Sequence, residues 1–138
     1  MLTKADLEAL AALRLADAIF LQQVGRSSSA YYLAGYAVEL ALKACIAKAF
    51  QPNVIPDKAF LSSIYTHSLE QLLGLAGLAQ QFKLESGADP QLAAAWGVAS
   101  KWTEESRYDM WDCISAANLL GAIADPDHGV YQWVKKHW

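Results

Sequence analysis

Charged residues are scarce in this sequence of 138 residues. They make up 18% of the chain, whereas an average globular protein has about a quarter. Apolar residues make up 54%, which excludes an intrinsically disordered chain and favours one compact domain over residues 1–138 with some apolar surface left over. The net charge of −3 gives no strong field that would attract nucleic acid.

Cysteine is also rare. Cys45 and Cys113 lie in apolar segments, without a CxxC pattern or a nearby histidine, so we expect buried free thiols in a reducing cytosol and no metal site. The first residues lack a basic stretch leading into an apolar one, so no signal peptide is predicted. The most apolar windows are shorter than the roughly 20 residues that span a bilayer. We therefore predict a cytoplasmic protein without membrane contact.

Valine and isoleucine are few, 12 residues together, against 44 alanines and leucines. This ratio favours helices over strands, and no segment shows strand-like alternation. We predict an all-α, up-and-down bundle of four to five main helices, antiparallel because most of the loops are short.

Thr3 is the expected cap of a first helix that runs to about Val24, before Gly25. Its buried face is expected to consist of Leu7, Leu10, Leu13, Phe20, Leu21 and Val24. Asp17 falls within that face, where a buried carboxylate would need a basic or donating partner. Alternatively, Asp17 lies at the rim of the face and reaches water.

The second predicted helix begins at Ser27–Ser29 and ends at about Phe50, and it is apolar or small at nearly every position. We expect it to be the central helix. A polar stripe interrupts it at spacings of four, three and four residues, namely Tyr32, Tyr36, Glu39 and Lys43. This stripe is either a functional surface or a half-exposed face with a stabilising Glu39–Lys43 pair.

Further capping signals predict the remaining helices. The expected elements are a short piece at Lys58–Tyr65, a helix from Thr66–Ser68 to Gly77, a loop at Ser86–Ala88, a helix after Asp89-Pro90, a long helix from about Asp109 to Ala124, and a last helix opened by Asp125-Pro126.

Several catalytic motifs are missing, including a glycine-rich phosphate loop, HExxH and Gly-x-Ser-x-Gly. No cofactor is therefore predicted. His67 is expected either to titrate near neutrality or to pack its ring at a helix entrance. The polar residues that could converge within a bundle are Asp17, Tyr32, Tyr36, Glu39, Lys43, His67, Glu105, Arg107 and Tyr108.

Three segments resemble a known family. The run YYLAGYAVELALKA, Tyr31 to Ala44, resembles the second helix of HEPN domains (higher eukaryotes and prokaryotes nucleotide-binding), with its Ala-Val-Glu-x-x-Leu-Lys-Ala pattern. THSL, from Thr66, resembles the family's Thr-His-Asp-Leu step into its third helix, with serine replacing the acid. ESRY, ending at Tyr108, resembles the Arg-Tyr signature before a long C-terminal helix. Together they span the chain in the family's order.

The resemblance implies a helical bundle that often forms homodimers and is commonly encoded beside a minimal nucleotidyltransferase in toxin–antitoxin-like systems. Many HEPN proteins are metal-independent ribonucleases that use an arginine followed after four to six residues by histidine. In such a site the imidazole moves a proton and the guanidinium holds the developing charge. Here Asp112, Cys113 and Ile114 stand where that histidine would follow Arg107. We therefore do not expect the usual ribonuclease activity.

Three functions are consistent with this sequence. The first is a non-catalytic interaction module, a homodimer that binds a nucleotidyltransferase partner, a nucleotide or RNA. The second is a ribonuclease toxin with a non-standard site. The third is a small-molecule binder with a cavity lined by Tyr36, Glu39 and Arg107. Arg107 is expected to pair with Glu39 or Asp17, or to contact a phosphate from the rim. The predicted polar cluster, ligand-binding or structural, is Tyr32, Tyr36, Glu39, Lys43, His67, Arg107 and Tyr108.

Overall fold

The computed structural model describes residues 2–138, which form eight α-helices and one 3-10 helix. The elements in chain order are α1 Lys4–Gln23, α2 Ser27–Ala47, α3 Lys58–Ser63, α4 Leu69–Leu75, α5 Ala79–Ala88, α6 Pro90–Ala99, the 3-10 helix Glu104–Tyr108, α7 Cys113–Ala124 and α8 Val130–Lys135. No strand occurs within the described residues, so the predicted all-α class is confirmed.

The second helix is the centre of the bundle. It contacts α1, α4, α7, α8 and the 3-10 helix, and residues from the four α-helices join it in one hydrophobic core. By length and composition alone α2 could cross a membrane, but 72% of its most apolar window is buried inside the protein. A helix that is apolar on nearly all sides is typical of the middle of a bundle.

The first helix begins as predicted but turns a different side inward. Thr3 and Asp6 form a reciprocal capping box at its start. Leu13, Phe20 and Val24 were expected in the core and are instead 51%, 61% and 54% exposed, so that prediction was wrong. The inward side consists of Leu7, Ala11, Leu15 and Ala18. The small alanines allow α1 to approach α2 closely, and close packing rather than side-chain size decides the orientation.

The middle of the chain holds a helix that the sequence pattern did not indicate. Residues 79–88 form α5, and Ser86–Ala88, predicted as a loop, are its last turn. The next start signal is confirmed, because Asp89 caps α6 and Pro90 is its first residue. Gly77, with φ at +74°, provides the reversal between α4 and α5.

The two C-terminal helices begin later than predicted. The Trp111 ring stacks on Tyr31 with 3.7 Å between centroids, and its backbone N–H donates to Ser28 Oγ at 2.8 Å. This docking holds 109–112 outside any helix, and α7 therefore starts at Cys113 rather than near Asp109. The Asp125 carboxylate accepts from the backbone of residues 127 and 128, so Asp125-Pro126 forms a turn and not the start of α8.

The two cysteines differ in environment. Cys45 is buried, and desolvation raises the pKa of its thiol to about 11. Cys113 was also expected to be buried, but it is exposed as the first residue of α7, with its sulfur near the Gln22 amide. The prediction of two buried thiols is thus confirmed for one and wrong for the other.

Close packing in the core joins α2 to the segment before the 3-10 helix. A Cβ atom on Gly35 would overlap the indole ring of Trp102, which is 1% exposed. The absence of a side chain at this position is therefore what admits the largest buried ring against α2.

Gly35→Ala is expected to lower the free energy of unfolding by about 1–3 kcal/mol, because the buried Trp102 ring must shift. Gly97→Ala is a matched control, since the new methyl group meets nothing within 4 Å in the helix α6. That control should be neutral or stabilising by up to about 1 kcal/mol. Urea denaturation of both variants checks the difference, and equal effects of the two would contradict this packing.

Candidate functional site

Glu39 is the only buried charged side chain among the described residues, with 2% exposure. It lies on α2 one turn after Gly35, and helical spacing places it on the same side as the half-buried Tyr32, Tyr36 and Lys43. The pKa of Tyr36 is raised, mainly by burial and then by the charge of Glu39. The predicted polar stripe is thus present on an otherwise apolar helix, with a carboxylate at its buried centre.

Two cationic or donating groups meet this carboxylate. Lys43 Nζ donates to Glu39 Oε1 at 2.9 Å, as the i,i+4 spacing predicts. His67 Nδ1 lies 2.9 Å from the same oxygen. Glu39 Oε2 is also buried but has no hydrogen-bond partner among the described residues. The carboxylate therefore depends on Lys43 and His67 for its compensation.

His67 links three parts of the chain. Its Nδ1 faces Glu39 on α2, its Nε2 lies 2.9 Å from Glu104 Oε2 in the 3-10 helix, and the residue itself precedes α4. Ser68 then caps α4 by accepting from the Gln71 backbone N–H. The expected helix entrance is confirmed, and the ring bridges two carboxylates there rather than only packing against apolar groups.

This bridge limits what His67 can do chemically. Nδ1 is within hydrogen-bond distance of the Glu39 carboxylate, and Nε2 lies at the same distance from the Glu104 carboxylate. A general base needs a free ring nitrogen directed at its substrate. In the described arrangement neither nitrogen is free, although 43% of the side chain is exposed.

Arg107 does not join this cluster, and the expected pairing with Glu39 or Asp17 was wrong. It is exposed, and its guanidinium lies over the Tyr108 ring, 4.9 Å from the centroid. Interaction with the hydroxyl of Tyr108, and then with that of Tyr32, raises the pKa of Arg107. His67 occupies the place expected for Arg107, because the start of α4 rather than the 3-10 helix reaches the middle of α2.

The seven predicted site residues therefore divide into two groups. Tyr36, Glu39, Lys43 and His67 lie around the buried carboxylate. Arg107 and Tyr32 line a shallow surface pocket at the start of α2, with the exposed Tyr108 beside them. Tyr36 and Glu39 are not among the residues that line this pocket.

Of two further polar residues, Glu105 was predicted wrongly and Asp17 follows the second of its two alternatives. Glu105 was expected to converge with the cluster but is exposed, and its neighbour Glu104 makes the contact with His67. Which of these adjacent acids faces His67 depends on the rotation of the 3-10 helix about its axis. Asp17 reaches water at the rim of α1 and pairs with Arg14 at 3.2 Å on its own helix.

A second histidine also joins separate elements. His128 Nδ1 lies 2.7 Å from Asp89 Oδ2, while Asp89 Oδ1 accepts from the first backbone N–H groups of α6. One carboxylate thereby caps a helix and holds the turn between α7 and α8. The hydrogen bond from His128 is the main cause that lowers the pKa of Asp89, and Asp89 in turn raises the pKa of His128.

This pair predicts a pH dependence of stability. Because the pKa of His128 is raised in the folded state, its protonated form stabilises the fold fully below the unfolded-state pKa of about 6.5. This stabilisation is lost as the pH rises through the folded-state pKa. Because the pKa of Asp89 is lowered in the folded state, its ionised form stabilises the fold fully above the unfolded-state pKa of about 3.9. This stabilisation is lost as the pH falls through the folded-state pKa. The stabilisation is therefore greatest between about pH 4 and pH 6.5.

His128→Gln is expected to lower the urea midpoint at about pH 5.5 and to lower it less at about pH 9. Asp89→Asn keeps a cap acceptor but removes the charge, so it should show the same pH pattern. A deficit that is independent of pH in both variants would contradict the ion pair.

The Glu39 cluster predicts a larger effect. Lys43→Met combined with His67→Ala leaves a buried carboxylate uncompensated and should lower the free energy of unfolding by about 3–5 kcal/mol. Adding Glu39→Met removes that charge and should restore most of the loss. Lys83→Met, at an exposed lysine on α5, serves as the control and should change stability by about 0.5 kcal/mol at most. A triple variant no more stable than the double would contradict the assignment.

Comparison with known proteins adds no identification: the chain matches no protein-family model, no curated protein and no solved structure.

Proposed function

We propose that this chain is a non-catalytic interaction module of the HEPN type. It acts as a cytoplasmic homodimer that binds a nucleotidyltransferase partner, and with it nucleotide or RNA, in a toxin–antitoxin-like pair. The positions of the three resembling segments support this proposal. The YYLAGYAVELALKA run lies in the central helix α2, THSL is the entrance to α4, and ESRY lies in the 3-10 helix before α7.

The contacts of the two His67 ring nitrogens are the main support for the non-catalytic part of the proposal. Both of its nitrogens face carboxylates, and Arg107 lies in a different group of residues. An acid–base pair acting on a ribose phosphate needs a free imidazole nitrogen beside a guanidinium. The two acids around His67 would also repel a phosphate.

The residues after Arg107 support the same conclusion. Asp112, one of three residues at the expected histidine spacing, caps α7 by accepting from the Ser115 backbone N–H at 2.6 Å. This hydrogen bond lowers the pKa of Asp112, which keeps it ionised. An ionised carboxylate that caps a helix has no proton to donate, and its lowered pKa makes it a weaker base than imidazole.

The surface favours a protein partner over an extended nucleic-acid groove. Net charge is slightly negative, and large apolar side chains are exposed, among them Phe20 at 61%, Met110 at 96% and Ile114 at 73%. Large exposed apolar patches mark protein interfaces, whereas nucleic-acid interfaces are strongly basic.

A second candidate function is a metal-independent ribonuclease with a non-standard site. The observation in its favour is the carboxylate–imidazole contact between Glu39 and His67, which resembles a general base with its orienting acid. It requires that Glu104 leave Nε2 so that this nitrogen can reach substrate.

Incubation of the purified protein with total RNA in EDTA distinguishes the two candidates. We expect intact RNA, because His67 has no free nitrogen. Cleavage that disappears in both His67→Ala and Arg107→Ala would establish the ribonuclease and reject the non-catalytic module. Cleavage that persists in both variants would indicate a contaminating nuclease, and the preparation is then repeated until it is free of that activity.

The partner is tested separately. The gene beside this one is expected to encode a minimal nucleotidyltransferase that co-purifies with this chain when the two are expressed together. A neighbouring gene of another kind, or a nucleotidyltransferase that elutes apart from this chain, would reject the two-component proposal.

A further inference from the structure

The first helix is apolar on both of its sides. Its inward side packs on α2, and nine of its residues are exposed. Seven of these nine are apolar, namely Ala5, Ala9, Ala12, Leu13, Ala16, Ile19 and Phe20, and the other two are Asp6 and Gln23. A surface helix normally presents charged or polar residues to water, and a helix that is apolar all round is buried. The outward side of α1 therefore has the composition of a covered surface.

The outward residues are arranged in two adjacent rows. Large side chains form one row, Leu13, Phe20 and, just beyond the helix end, Val24, at spacings of seven and four residues. Alanines form the other row at spacings of four, three and four, at positions 5, 9, 12 and 16. Residues spaced in this way lie along one side of a helix. A ridge of large side chains thus runs beside a groove of small ones.

We infer that this outward side of α1 is the contact between two copies of the chain. A two-fold axis perpendicular to two antiparallel α1 helices, passing near Leu13 and Ala16, would place the ridge of each copy on the alanine groove of the other. Ridges that fit into grooves are the usual basis of helix packing, and a two-fold interface must be self-complementary. The inference names the surface for the homodimer in the proposed function and rests on that function in this respect.

Charge supports a second copy as the occupant. Asp6 is the only charged residue among the nine exposed ones, so two identical copies bring few like charges together. Interfaces with a different partner or an anionic membrane use charge for selection and attraction. The half-exposed rim of α1 carries both signs, Lys4 and Arg14 with Glu8 and Asp17, which gives no preference for an anionic surface.

The area is sufficient for a weak dimer. A helix of this length spans about 30 Å, and pairing along it would bury roughly 500 Å² on each copy. The total of about 1,000 Å² is the lower limit for a specific interface. We expect dimers at micromolar to submillimolar concentrations.

Sedimentation over that concentration range tests the inference. The wild type should approach twice the monomer mass, and Leu13→Glu combined with Phe20→Glu should remain monomeric while circular dichroism shows an unchanged fold. Leu84→Glu is the matched control, because Leu84 is a 71% exposed leucine on α5. That control should dimerise like the wild type.

Each other result overturns the inference in a recognisable way. A dimer that survives the double substitution rejects this surface but leaves the proposed homodimer in place. A wild type that stays monomeric rejects the homodimer itself, whereas the RNA and partner experiments still test the rest of the proposed function. Loss of the dimer in the Leu84→Glu control as well would show a general effect of added charge and would also reject the surface.

A crosslink provides an independent readout. Ala16→Cys, made in a Cys113→Ser background, should form a disulfide dimer on mild oxidation, because a residue near a two-fold axis faces its own copy. The remaining Cys45 is buried and should not react. An Ala94→Cys variant, at an exposed alanine of α6, is the control and should crosslink far more slowly. Equal crosslinking rates at the two positions would contradict the contact.

Discussion

The buried carboxylate of Glu39 is the constraint on which the polar organisation of this bundle depends. Removing a charge from water in the middle of an apolar helix is costly unless partners approach it. Lys43 approaches from the next turn of the same helix, and His67 approaches from the entrance of α4. Because His67 also contacts Glu104, the buried carboxylate on α2 is linked through one side chain to two further segments of the chain.

A consequence for function is that the charged groups of the cluster contact one another, with Glu39 Oε2 left without a hydrogen-bond partner among the described residues. The groups that could perform acid–base chemistry are paired with each other. The guanidinium of Arg107 lies apart from them, over the Tyr108 ring. Buried pairs of this kind specify one arrangement of the helices, and their contribution to stability is smaller. The outer surface, where apolar residues meet water, is then the part of the molecule with unused binding capacity.

Much of the helical pattern is readable from the sequence because it depends on local chemistry. The caps at Thr3, Ser68 and Asp89 and the i,i+4 pair of Glu39 and Lys43 involve residues within four positions of one another. That α2 is apolar on nearly all sides likewise follows from its composition. These features need no knowledge of distant parts of the chain.

The errors arise where distant contacts decide the outcome. Arg107 was expected to pair with Glu39 or Asp17 or to contact a phosphate, whereas His67 is the residue that reaches Glu39. Which of these side chains meets the carboxylate depends on the packing of the whole bundle. The inward side of α1 was assigned from the 3.6-residue spacing of its large apolar residues, whereas the side that packs on α2 includes Ala11 and Ala18. The late start of α7 follows from the stacking of Trp111 on Tyr31, which lie 80 positions apart in the sequence.

The contact between Gly35 and Trp102 has a consequence for how sequences of this kind can vary. A methyl group at position 35 has no room unless the indole at position 102 is replaced by a smaller side chain. Positions 35 and 102 are therefore expected to vary together. Relatives that have a residue other than glycine at position 35 should have a side chain smaller than tryptophan at position 102.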